Sequence, residues 1–126
     1  MTILKNLQPI LIDRKFITEF RDVERAFIYQ LFNDITWAYK AQGIPDDENN
    51  VIQISGKLYI KAPYSSLEDE FPYIKTGKIV SSMRYFAKHK YLLRKQLFKE
   101  KGDTSYWYAI NFEEAKKNKK VFIFKV

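Results

Sequence analysis

Apolar residues in the first third of the chain recur at helical spacing. Val23, Ala26, Phe27, Leu31, Ile35, Ala38 and Tyr39 fall three or four positions apart, which predicts a long amphipathic helix over 23–41. Asp22 stands at its N-cap position and Gly43 at its stop. Upstream, Pro9-Ile10-Leu11-Ile12 reads as a short strand or a buried arm, and Phe16, Ile17 and Phe20 suggest a short helix. Residues 43–56, turn-rich and acidic at their start, read as a loop ended by Gly56. The alternation in 57–61 predicts a strand. Ser65 and Glu68 fit a capping box, with Ser65 as N-cap of a short helix that Pro72 stops.

A second helix is expected from Thr76 to His89 on the stripe Ile79, Met83 and Phe86. Strands at 92–98 and 105–110 flank the charged turn 99–103 and form a hairpin with a basic tip. A helical turn from Asn111 or Phe112 to Lys117 and a last strand at 121–124 complete the pattern. The order is helix, strand, short helix, turn, helix, strand, basic turn, strand. It predicts an α+β fold, a winged helix-turn-helix with an N-terminal helical extension and a C-terminal strand. One domain over 1–126 is expected, with an arm and long helix at 9–41 and an acidic loop at 42–56. The winged-helix core would span 57–112 and a C-terminal extension 113–126.

Composition narrows the function. The 126 residues suit one domain, and 46% apolar with 17% aromatic residues suffice for a core. Cysteine is absent, which excludes disulfides and thiolate metal sites. His89 is the single histidine, which weighs against His-rich zinc sites, Ser-His-Asp triads and two-His nucleases. No apolar run reaches the roughly 20 residues of a membrane span, and no secretory signal is visible. The expectation is a soluble cytoplasmic protein, in the host cytoplasm if viral. The net charge of +7 is uneven: +1 over 1–42, −4 over 43–74 and +10 over 75–126. The positive part coincides with the expected second helix and hairpin, which points to an anionic partner.

Three stretches carry a resemblance. They are Gly56-Lys-Leu-Tyr-Ile-Lys-Ala-Pro-Tyr-Ser-Ser-Leu-Glu-Asp-Glu-Phe-Pro-Tyr, Ile79-Val-Ser-Ser-Met-Arg-Tyr-Phe and Asp103-Thr-Ser-Tyr-Trp-Tyr-Ala-Ile-Asn111. Over roughly residues 9–112 the chain resembles the winged-helix domains of phage and plasmid replication proteins. That resemblance implies a double-stranded DNA binder of a virus, phage or plasmid, acting in replication or transcription control. It implies the second inner helix in the major groove and the wing on the backbone. Lys75, Val80 and Ser81 stand where the family has a capping Ser and paired bases, and Lys90 stands where it has a helix-ending Gly. The second departure predicts a different helix ending.

The DNA-binding candidates are Lys75, Thr76, Lys78, Ser81, Arg84, Tyr85 and Lys88 on the helix, and Arg94, Lys95, Lys99 and Lys101 on the wing. Thr76, Lys78 and Ser81 would lie nearest the bases, because the start of a recognition helix approaches base edges while later Lys and Arg reach phosphates. The same residues also fit a solvated helix face and a hairpin protected from edge pairing. Tyr106, Trp107 and Tyr108 fit core packing or stacking on unpaired nucleotides.

No catalytic residue, metal or cofactor is expected. A homodimer is possible, through helix 23–41 or strand 121–125. An alternative reading is a protein-interaction module that keeps the fold without reading DNA, for which Val80 and Ser81 argue. A metal-dependent nuclease built on Asp103, Glu114 and Lys116 is the weakest alternative, because Glu114 and Lys116 fall in an expected helical turn rather than on a strand.

Overall fold

The computed structural model describes residues 14–43 and 50–111. Its architecture is α+β, with four α-helices against a four-stranded antiparallel sheet. In chain order these are α1 (Arg14–Phe20), α2 (Val23–Gln42), β1 (Val51–Ile54), β2 (Lys57–Lys61), α3 (Tyr64–Glu70), α4 (Thr76–Lys88), β3 (Leu92–Lys95) and β4 (Trp107–Ile110). A 3-10 turn at Lys99–Lys101 lies between the last two strands. The apolar run at 9–12, the acidic residues 46–48, and the expected turn and strand after Asn111 fall outside the described residues. None of the described helices is long and apolar enough to cross a membrane.

α2 begins and ends on the residues expected of it. The Asp22 carboxylate accepts the Arg25 N–H at 3.1 Å, which satisfies one of the donors a helix start leaves open. At the far end the Gly43 N–H donates to the Tyr39 carbonyl at 2.7 Å, with φ at 82°. Between the caps α2 is buried on more than one stripe. Ile28, Tyr29, Gln30, Leu31, Phe32 and Asn33 are all buried, so α1, α4 and the sheet enclose its middle. Val23 is its one exposed large apolar side chain.

An aromatic cluster joins α1, α2 and α4. The ring of Phe20 lies 5.2 Å from Tyr29, 5.2 Å from Phe86 and 4.9 Å from Tyr91. Edge contacts of this kind add about 0.5–1.5 kcal/mol per pair beyond the area they bury.

The strand order is β1-β2-β4-β3. β1 corrects the expected loop over 43–56. Val51–Ile54 pairs with β2 from Val51↔Ile60 to Ile54↔Lys57. The two residues between them, Ser55 and Gly56, have φ of 51° and 78°, the paired positive values of a type I′ hairpin turn. β4 lies between β2 and β3 and is buried on both faces. Tyr108 and Ile110 face the main core. Trp107 and Ala109 form a second cluster with Tyr59, against which Leu93, Leu97 and Phe98 pack. β3 and β4 are shorter than the expected 92–98 and 105–110.

The capping box is also corrected. α3 starts at Tyr64 with Pro63 at the N-cap position, and no side chain caps it. Ser65 lies inside its first turn, and Glu68 instead accepts the Thr76 hydroxyl at 2.7 Å. Phe71 ends the helix one residue before Pro72, as expected.

α4 buries Ile79, Ser82, Met83 and Phe86. The different ending expected from Lys90 does not occur, because Lys90 adopts φ of 62°, the conformation a glycine would take there. Tyr91 N–H bonds to the Phe86 carbonyl at 2.9 Å and Lys90 N–H to the Ala87 carbonyl at 3.3 Å. That pair of bonds is a Schellman motif, and the Tyr91–Phe86 ring contact supplies its apolar clasp.

Candidate functional site

α4 divides the seven candidates it carries. Gly77, Ser81, Arg84 and Lys88 lie opposite its buried side and are all exposed. Their spacing places them along one line of the helix surface. Lys75 is exposed at the N-cap position. Gly77 was absent from the sequence-based set, although its place four residues before Ser81 marks it. Its Cα faces open space, with no atom near where a Cβ would stand.

The other three are occupied within the domain. The Thr76 hydroxyl is bonded to Glu68. The Lys78 ammonium is hydrogen-bonded to and paired with Asp22, the residue that caps α2. Tyr85 is half-buried, stacked 6.0 Å from Tyr91, with the Arg25 guanidinium 4.4 Å above its ring. Lys78 and Tyr85 therefore face the corner between α1 and α2. Burial pushes the Asp22 carboxyl up, but the Lys78 ammonium and the Arg25 N–H outweigh it and hold the group below its ordinary value.

Along α4 and β3 the charge has one sign, while the Glu68 carboxylate of α3 lies against Thr76 at the start of α4. From Lys75 to Lys99 the chain carries eight Lys and Arg residues and no Asp or Glu. His89, the C-cap of α4, is exposed, with its ring 4.4 Å from Tyr85.

The wing candidates do not share one surface. Arg94 and Lys95 are consecutive on β3, so they project to opposite faces. The Arg94 guanidinium lies 4.5 Å over the Tyr106 ring, and the Lys95 ammonium 5.6 Å from the Tyr59 ring. Lys99 and Lys101 are exposed on the 3-10 turn, with exposed Glu100 between them. Gly102 closes that turn with φ of 85°, and its N–H reaches the Lys99 carbonyl at 3.0 Å. Phe98 anchors the β3–β4 connection edge-on against Trp107 at 5.7 Å.

Trp107 and Tyr108 are core residues, whereas Tyr106 is exposed. Asp103 accepts the Ser105 N–H at 2.9 Å and lies 3.7 Å from Lys61. The Ser105 N–H is the larger influence holding its carboxyl below the ordinary value. Among the described residues no three His, Asp or Glu side chains are grouped to hold a metal ion. Glu114 and Lys116 lie outside those residues.

No family model, curated protein or solved structure matches the chain.

Proposed function

We propose that the chain is a winged helix-turn-helix domain that binds double-stranded DNA, in replication or transcription control of a virus, phage or plasmid. The observation that carries this reading is the outward line of α4. It bears Arg84 and Lys88, contains no acid, and is smooth at its start, where Gly77 and Ser81 stand. A helix with small residues at its start and bases further on can seat its N-terminal part in a groove while Arg84 and Lys88 meet phosphates. Further support comes from the order α2, β2, α3, α4, β3, β4, with β2 and β3 on either side of β4. Lys75 at the helix start and Lys99 and Lys101 on the wing then contact neighbouring phosphates. Ser81, rather than Lys78 or Thr76, is the polar side chain nearest the bases.

The engagement of Lys78 by Asp22 favours a second reading, a protein-interaction module on the same fold, because it removes one base from the helix surface. Titration against duplex DNA at several salt concentrations separates the two. DNA binding predicts affinity that falls steeply as salt rises, through counterion release. An interaction module predicts no duplex binding even at low salt.

A further inference from the structure

We propose that a pocket at the base of the wing receives one unpaired nucleotide, with its base against Tyr106 and its phosphate met by Arg94. The inference rests on the DNA-binding reading above and adds a second, single-stranded subsite to it. The pocket measures about 170 Å³ and opens between the start of α3 and the irregular segment leading into β4. Pro63 and Tyr64 line it from the first side, and Thr104, Ser105, Tyr106 and Tyr108 from the second. It falls below the roughly 300–1,000 Å³ of sites for drug-sized ligands, and suits a single ring system.

Tyr106 distinguishes this pocket from a packing gap. Tyr106 is 39% exposed, while Trp107 and Tyr108 beside it are buried. The Arg94 guanidinium, 4.5 Å from the same ring, holds a cation at the pocket edge. The segment is also fixed in advance. Gln96 donates to the Thr104 carbonyl at 2.9 Å, and Asp103 accepts the Ser105 N–H at 2.9 Å. Such anchoring lowers the ordering cost of binding.

Charge selects the occupant. A nucleotide offers an aromatic face for Tyr106 and an anion for Arg94, the pairing by which single strands are held. A proline-rich peptide also docks on aromatic grooves, but it offers the guanidinium no anion. The Asp103 carboxylate, the one acid of this segment, is engaged by Ser105 and Lys61.

The test is fluorescence anisotropy with three probes: a blunt duplex, the same duplex with a short thymidine overhang, and single-stranded oligothymidine. The overhang is expected to tighten binding roughly ten-fold, the weight of about one stacked base. Tyr106→Ala should abolish that gain and leave blunt-duplex affinity unchanged, while Tyr106→Phe keeps the gain. An overhang that gives no gain, or a gain that survives Tyr106→Ala, overturns the proposal. If the blunt duplex is not bound, the DNA-binding reading fails. Tyr106-dependent binding of oligothymidine then still supports the pocket, and its absence overturns it. Tyr106-dependent binding of a proline-rich peptide without oligothymidine binding also overturns it.

Discussion

Lys78, in the first turn of α4, donates to Asp22, the residue that caps α2. One carboxylate thus starts a core helix and ties down the first turn of the proposed recognition helix, whose rotation is set by the burial of Ile79, Met83 and Phe86. With that stripe buried and Lys78 held at the corner, Ser81, Arg84 and Lys88 are turned outward.

Asp22→Ala removes both functions and is expected to cost about 1–2 kcal/mol, mostly through the lost cap. Asp22→Asn keeps a capping oxygen and should cost less, since partly exposed ion pairs contribute about 0–1 kcal/mol. Denaturant unfolding of the three proteins measures the order. The acid limb carries the same signature. The folded Asp22 carboxyl titrates below its ordinary 3.8, so its stabilisation is present above that value and fades as pH falls through the folded one. Asp22→Asn should therefore flatten the loss of stability below about pH 4.

Lys90→Gly should stabilise the domain by about 0.5–1 kcal/mol. Lys90 occupies a left-handed position that glycine adopts without penalty, and it lies on the outside of a complete Schellman motif. Thermal unfolding should register a rise of a few degrees. Lys90→Val, with a branched Cβ at the same φ, should shift the midpoint the other way.

Tyr29, Tyr91 and Tyr108 should ionise late. Burial raises the pKa of Tyr29, and it raises that of Tyr91 together with the hydrogen bond the hydroxyl donates to Glu19 at 2.6 Å. Burial likewise pushes Tyr108 up to about 12. A raised folded value means stabilisation that is present below the ordinary 10.0 and lost as pH rises through the folded one. An ultraviolet titration should show late ionisation of these three, coupled to alkaline unfolding. Tyr91→Phe should remove one late step and cost about 1 kcal/mol for the lost hydrogen bond.

Phe98→Ala should free the β3–β4 connection from Trp107. The expected cost is about 1–2 kcal/mol, lower than for a fully buried aromatic because Phe98 is half-buried. Hydrogen exchange should quicken over Lys99–Lys101 and Gly102. Duplex affinity should weaken without any change of charge.

Much of this architecture is legible in the chain because it depends on near neighbours. The spacing from Val23 to Tyr39, the Asp22 cap and the Gly43 stop involve residues within four positions, and all three appear as expected. The β1–β2 hairpin was legible as well. Val51-Ile52-Gln53-Ile54, then Ser-Gly, then an alternating strand is a hairpin signal, masked by the acidic run before it. The capping box failed because Pro63, with its φ already near helical values, starts the helix earlier. The roles of Lys78 and Tyr106 were hidden for a different reason. The partner of Lys78 lies 56 residues away, and the pocket beside Tyr106 is completed by Pro63 and Tyr64 from another element. Charge along the chain located the basic half, and only the packing of α4 separated its outward bases from its inward one.

The most direct test of the account is the duplex affinity of the Arg84→Glu/Lys88→Glu double variant, measured across salt beside the native protein. Both side chains are exposed and make no contact the core needs, so the fold should persist. The account predicts native binding that weakens steeply with salt, and a double variant that binds more than about ten-fold more weakly with a salt slope reduced by about two. Equal affinity and equal slope in the two proteins, or no native binding at low salt, would contradict it.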